Sequence, residues 1–247
     1  MKIIVVIPAR YGSSRFAGKV LARETGKYLV QHTYERALCA KSVDQALIAT
    51  DDQRVKDACA EFRGDCVMTS AAHQSGTDRI AEAVADIEAD IIVNLQADEP
   101  EIDPSYIDRV AGLLVGNSDA SMATLLAPFE TADDVSNPNI VKCITDITGK
   151  AIYFSRSVIP YDRNAGGVGQ VGCYKRHLGI YAYRKDFLME YTSLKPSFLE
   201  QREKLEQLRA IENGYTILTD MVDTAWDGVD TEEQYQAFVR RLSGSLQ

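Results

Sequence analysis

Short apolar runs rich in β-branched residues alternate with amphipathic stretches through the first half of the chain. Residues 2–7, 45–50, 65–68 and 90–95 are such runs, and Pro8 closes the first. Their shortness and unbroken apolar character predict buried parallel strands rather than helices. Between them, residues 29–40, 52–62 and 77–87 repeat apolar positions at helical spacing. Strand alternating with helix predicts crossover units and a parallel sheet, the mark of an α/β fold. A further helix is expected over 104–116, with Asp103 as its cap and Pro104 in its first turn.

After about residue 120 the rhythm changes. Residues 122–127, 141–145, 151–154 and 177–183 read as strands with few helices between them, which predicts a smaller mixed-sheet extension. Helical spacing returns at 185–191 and 205–213, a strand at 216–221, and a last helix starts at Thr231 as cap with Glu233 close behind. No shift in composition forces a second independent domain. The expected organisation is one domain over 1–247 with an inserted subregion at about 120–185. Residues 166–172 and 243–247 read as mobile.

Composition narrows the function classes. With 36 acidic against 27 basic residues the net charge is -9, which opposes binding to nucleic acid or an anionic membrane surface, so an anionic substrate needs a local basic cluster. No apolar run approaches membrane-spanning length, and the first is too short for a signal-peptide core; a soluble, cytoplasmic protein is expected. Cys39, Cys59, Cys66, Cys143 and Cys173 form an odd set without a C-x-x-C pair, and His32, His73 and His177 lack metal-ligand spacing. Reduced thiols and no structural zinc are expected.

Ligands of open parallel α/β sheets bind beyond the carboxyl ends of the strands. The first strand is followed by Pro8-Ala9-Arg10-Tyr11-Gly12-Ser13-Ser14-Arg15-Phe16-Ala17-Gly18-Lys19, where cations, glycines and hydroxyl residues make an anion-cradling loop. It is no Walker A loop, because five residues separate Gly12 from Gly18 and Val20 follows Lys19. The G-x-G-x-x-G at 167–172 follows no first strand and opens no helix, so it is set aside. The fourth strand runs into Gln96-Ala97-Asp98-Glu99-Pro100, where a carboxylate suits magnesium, which takes one or two acids and leaves its other positions to water and phosphate. Asp230 is a second acid of this kind, equally readable as a helix-terminus feature. Ser75-Gly76-Thr77 opens a helix and offers N–H donors to a nucleotide or simply caps that helix. His177 lies in a strand pattern where a histidine is commonly structural.

The segments IPARYGSSRFAGK, ATDD, HQSGTDRI, VNLQADEP, NPNIVK, YFSRSVIPYDR, RHLGIYAYR, LEQLRAIENGY and GVDTEEQ, in this order, closely resemble the 3-deoxy-manno-octulosonate cytidylyltransferase (CMP-Kdo synthetase) family of sugar nucleotidyltransferases. The resemblance covers nearly the whole chain. It implies a Rossmann-like nucleotidyltransferase fold with a mostly parallel central sheet. It also implies transfer of CMP from CTP to the anomeric hydroxyl of an eight-carbon 2-keto acid sugar, Kdo or a close analogue such as its 8-amino form, for lipopolysaccharide biosynthesis. Mg2+ as cofactor and a homodimer are implied too.

Position by position, the resemblance makes Lys19, Asp98 and Asp230 catalytic, with Asp98 and Asp230 as the metal pair. It assigns Arg10, Arg15, Lys19, Ser75, Gly76 and Arg79 to the nucleotide, and Gln96, Arg156, Arg163, His177, Tyr181, Glu206 and Gln207 to the sugar, whose carboxylate suits the arginines. The hydroxyl attacks the α-phosphorus directly, so no protein nucleophile is required. Two positions depart from the family pattern. Its usual Arg-x-Pro-Gly-Lys is Arg15-Phe16-Ala17-Gly18-Lys19, which loses proline's fixed φ, and its Gln-Gly-Asp-Glu-Pro is Gln96-Ala97-Asp98-Glu99-Pro100, which adds a methyl group beside the metal acid. Neither removes a charged ligand. The rival readings are a cytidylyltransferase for a nine-carbon sialic-type acid and a nucleotide-binding regulatory module without turnover.

Overall fold

The computed structural model of the chain describes residues 1–12, 15–226 and 228–244. Ser13 and Ser14 of the anion loop, Asp227, and residues 245–247 of the tail expected to be mobile lie outside the described residues. The chain falls into two compact units, Met1–Asp108 with Trp226–Gln247, and Arg109–Ala225. The second is wider than the subregion expected at about 120–185.

The first unit is built on four parallel strands in the order β3-β2-β1-β4: β1 Ile3–Pro8, β2 Gln45–Thr50, β3 Cys66–Met68 and β4 Ile91–Asn94. All of β1 and β4 is buried, as unbroken apolar runs require of a sheet covered on both faces. The helices are α1 Leu29–Leu38, α2 Gln53–Glu61 and α3 Gly76–Val84, followed by α4 Pro104–Val115, which crosses the division between the units. Their starts follow from capping chemistry. Asp52 accepts from Arg54 N at 2.9 Å, Ser75 accepts from Asp78 N at 3.1 Å, and Asp103 accepts from Ser105 N at 2.9 Å ahead of Pro104.

The second unit carries the mixed sheet. β5 Met122–Pro128 pairs antiparallel with β8 Lys175–Arg184 and parallel with β9 Ile217–Met221; β6 Lys142–Thr145 and β7 Ala151–Ser155 form a hairpin that meets β8 at Lys142 and Arg176. Two short helices, α5 Ala132–Ser136 and α7 Phe198–Glu203, were not expected, and the helix expected over 205–213 is only α8 Leu208–Glu212. The reason is local. Ser197 and Glu200 form a capping box that starts α7, and Lys204, in a left-handed conformation with φ 54°, ends it. α6 Lys185–Ser193 lies between β8 and α7. The 166–172 segment, expected to be mobile, is tied down: Asp162 and Gly167 exchange backbone hydrogen bonds at 2.9 and 3.1 Å, and Gly169 N donates to the Tyr174 hydroxyl at 2.9 Å.

The chain returns to the first unit in α9 Glu232–Gly244. Thr231 accepts from Gln234 N at 3.3 Å, while Gln234 Oε1 accepts from Thr231 N at 3.0 Å and Asp230 N at 2.8 Å. Gln234, rather than Glu233, therefore completes the capping box. Tyr235 and Phe238 of α9 pack with Leu29 and Val229 and are joined by Phe16. Among the described residues no helix is long and apolar enough to cross a membrane.

Candidate active site

Parallel β1 and β4 end side by side, with Val6 opposite Asn94. Both carboxyl ends open on a cleft of about 370 Å³ lined by Arg10, Gly12, Arg15, Lys19, Gly76, Gln96, Ala97, Asp98 and Asp230, together with Pro8 and Val20. The loop after β1 is folded back by Gly18 N donating to Tyr11 O at 3.1 Å. Gly18 is left-handed (φ 68°), and a Cβ there would lie 3.1 Å from the Tyr11 ring, so glycine answers both demands. Tyr11 is covered by the Arg54 guanidinium, 3.4 Å from the ring centroid, and Arg54 is clamped in turn by both oxygens of Asp52.

This turn delivers Lys19 between two acids that lie far apart in sequence. Lys19 Nζ donates to Asp98 Oδ2 at 2.6 Å, Asp230 Oδ1 at 3.0 Å and Val229 O at 3.1 Å. Arg15 contacts the same Asp230 oxygen at 2.9 Å. The acids meet because their backbones do: Val229 N donates to Asp98 O at 2.7 Å, and a Cβ on Gly228 would come within 3.1 Å of Glu99 Oε1. Burial opposes the Lys19 charge, yet Asp98 and Asp230 outweigh it and raise its pKa above the ordinary value, so the ammonium stays charged. Across the cleft Arg10 is pinned by His73 O at 2.8 Å, and Gln96 donates to Asn94 Oδ1 at 2.8 Å. Ser75 caps α3, and Gly76 behind it brings the start of the helix to the cleft wall.

Arg79 departs from its expected place. Its side chain is fully buried; it donates to Thr69 Oγ1 at 2.5 Å and Asp51 Oδ2 at 2.9 Å, and it does not line the cleft. Among the remaining residues expected at a sugar, all in the second unit, His177, Tyr181 and Glu206 come together. The His177 and Tyr181 rings are 5.3 Å apart, and the Glu206 charge acts on the Tyr181 phenol. Burial pushes the His177 imidazole down to about 3 and Tyr181 well above its ordinary value, so both are neutral at pH 7. Gln207 is 4% exposed, and its Nε2 is buried without a hydrogen-bond partner among the described residues. Arg156 is spent on the chain itself, donating to Glu203 O at 2.7 Å and Pro138 O at 3.0 Å, whereas Arg163 is exposed.

A family model described as cytidylyltransferase matches residues 4–217. The 3-deoxy-manno-octulosonate cytidylyltransferase of Geobacter metallireducens (strain ATCC 53774 / DSM 7210 / GS-15) is 47% identical over 98% of this chain and 98% of its own. The chain belongs to the 3-deoxy-manno-octulosonate cytidylyltransferase family. The solved structure of CMP:2-keto-3-deoxy-manno-octonic acid synthetase complexed with CTP superposes with a TM-score of 0.93 at 42% identity, covering 99% of this chain and 100% of that one. A cytidylyltransferase from Leptospira borgpetersenii serovar Hardjo-bovis (strain JB197), at 17% identity and a TM-score of 0.64 over 98% of this chain and 87% of that one, shares the fold. This member of the cytidylyltransferase family is therefore a nucleotidyltransferase with the expected α/β fold.

Such enzymes use a divalent metal. The cleft passes a simple test of fit for one. Two carboxylates, of residues 98 and 230, already share a cation, the Lys19 ammonium, and line the cleft. Among the described residues no group of three or more His, Cys, Asp or Glu side chains stands ready to hold a metal. A pair of acids completed by water and phosphate suits a hard divalent cation. The two departures from the family pattern leave these contacts in place. Ala17 is exposed, and buried Ala97 accepts from Thr33 Oγ1 at 3.0 Å through its carbonyl, which a side chain does not alter. What sequence reading missed is the supporting layer: Asp51 and Thr69 under Arg79, and the Arg54–Tyr11 stack under Gly18. The ATDD segment, which contains Asp51 and Asp52, was its only visible signal.

Proposed function

We propose that this enzyme transfers CMP from CTP to the anomeric hydroxyl of Kdo, or a close analogue such as 8-amino-Kdo, and releases pyrophosphate for lipopolysaccharide assembly. The observation that carries the reading is the convergence of Lys19, Arg15, Asp98 and Asp230 at the mouth of the anion loop. Arg10, Arg15 and Lys19 take the triphosphate, and the free N–H groups at the start of α3, with Ser75 and Gly76, face the cytidine. Arg79 acts one step back, fixing α3 against Asp51 rather than touching the nucleotide. Asp98 and Asp230 would hold Mg2+, which would supply charge neutralisation of the triphosphate and make the attacking hydroxyl more acidic. Lys19 offsets charge that builds on the phosphates as the bond to the leaving group breaks, and with Arg10 and Arg15 it keeps the α-phosphorus in line.

For the sugar, Gln96 is the proposed contact of the first unit and His177, Tyr181, Glu206 and Gln207 those of the second, where exposed Arg163 is proposed for the sugar carboxylate and Arg156 braces the chain at Glu203. The orphaned amide of Gln207 supports this, because a buried donor without a partner gains most from a hydroxylated ligand. The neutral His177 suits a hydrogen bond to a sugar hydroxyl rather than an ion pair. The reading places the enzyme in the cytoplasm, where five free cysteines suit a reducing compartment, and includes a homodimer, for which fully exposed Ile147 and half-exposed Ile152 offer apolar surface. The test is pyrophosphate release across a panel of eight- and nine-carbon keto-acid sugars with each of the four nucleoside triphosphates. CTP with Kdo or 8-amino-Kdo is expected to give the highest rate. Preference for a sialic-type acid would replace the sugar assignment, and release independent of sugar would remove the transferase reading.

A further inference from the structure

We propose that Lys19 and Arg15 serve as an internal counter-cation that keeps the Asp98–Asp230 pair closed to a divalent metal until a triphosphate draws them off, so that metal and CTP bind with positive coupling. The inference rests on the reading of Asp98 and Asp230 as the metal pair, and it adds an order to how that pair is filled.

The geometry is that of an occupied site. The Lys19 ammonium has three oxygens within 3.1 Å, on Asp98, Asp230 and Val229, which matches its three donors. Asp230 Oδ1 is shared between Lys19 and Arg15, at 3.0 and 2.9 Å. A magnesium ion needs carboxylate oxygens at about 2.0–2.1 Å. To use Asp98 Oδ2 and Asp230 Oδ1 it would have to sit where the ammonium now sits, or against it, and two like charges in a cleft whose lysine is only 12% exposed repel strongly. The acids alone are therefore already neutralised and offer little to a free dication.

A triphosphate changes the balance without any rearrangement of the backbone. Lys19 is fixed at its main chain by the short helical turn Lys19–Leu21, but its head is on a flexible four-carbon stem. Arg15 is largely exposed and free to swing. A polyanion bound by Arg10, Arg15 and Lys19 gives the two cations on the acids a stronger partner, and the vacated oxygens then suit a dication that also takes phosphate oxygens. By linkage the metal must favour CTP as much as CTP favours the metal.

Nucleotide-free protein is titrated with Mn2+, followed by loss of the free-ion electron paramagnetic resonance signal and by thermal unfolding. Wild type is expected to bind Mn2+ weakly, Lys19→Met to bind on the order of tenfold more tightly, and Lys19→Met/Asp98→Asn to lose that gain. In wild type, Mn2+ and CTP together are expected to raise the melting temperature by more than the sum of their separate effects, a comparison that needs no variant to fold. Wild type binding Mn2+ as tightly as Lys19→Met, or strictly additive shifts, overturns the inference and leaves the metal pair standing. Failure of Lys19→Met to gain Mn2+ affinity also overturns it. If Mn2+ has no effect on wild type even with CTP present, the metal pair falls as well.

Discussion

Arg79 and Lys19 both bring a positive charge to the first unit, and their surroundings separate their roles. Lys19 keeps an open side facing the cleft, whereas the Arg79 side chain has no exposed surface and spends its two terminal nitrogens on Thr69 and Asp51. Removing one partner of a buried ion pair leaves the other uncompensated, so Arg79→Met is expected to destabilise the protein by about 3 kcal/mol in chemical denaturation. The folded fraction is expected to keep its affinity for CTP in a binding titration. Unchanged stability with weakened CTP binding would return Arg79 to the nucleotide. Sequence made Lys19 and Asp98 visible because charged residues beyond strand ends have few structural duties there, whereas Asp230, equally readable as a helix-terminus feature, was assigned to the pair by the family resemblance. Sequence could not place Arg79, since nothing in HQSGTDRI reveals that the arginine turns inward to an acid 28 residues earlier.

The element that sets the site is α9. Its capping box fixes the backbone of Asp230, and Tyr235 and Phe238 press it against Leu29 and Phe16 of the anion-loop region. Tyr235 also accepts from Glu24 N at 2.8 Å. Phe238→Ala, at a position 1% exposed, is expected to cost about 3–5 kcal/mol. It is also expected to lower turnover in protein that is still folded, because Asp230 loses its support; stability measured beside steady-state kinetics separates the two effects. Loss of stability with full turnover would show that α9 merely covers the core. Most elements were legible from hydrophobic period and caps, including Asp103 and Thr231. The exceptions are short helices such as α5 and α7, where five or six residues show too little periodicity and the start depends on side-chain reciprocity, as between Ser197 and Glu200.

For the molecule as a whole, pH and long-range convergence give the sharpest tests. The His177 imidazole is held neutral in the folded protein at about 3 but titrates near its ordinary 6.5 once unfolded. The unfolded chain then binds more protons between those values, so stability is lost as pH falls from about 6.5 towards 3. Wild type is expected to lose more melting temperature between pH 7 and pH 5 than His177→Gln does, as thermal unfolding at both pH values would show; equal losses would mean that His177 protonates freely when folded. The central claim is that Asp98 and Asp230, brought together from opposite ends of the first unit's sequence, act as one pair in CMP transfer. It is tested most directly by the rate of pyrophosphate release with CTP, Mg2+ and Kdo for Asp98→Asn and Asp230→Asn beside wild type. Both variants are expected to remain folded and to fall by at least about a hundredfold; a folded variant at either position with near wild-type turnover would contradict the account.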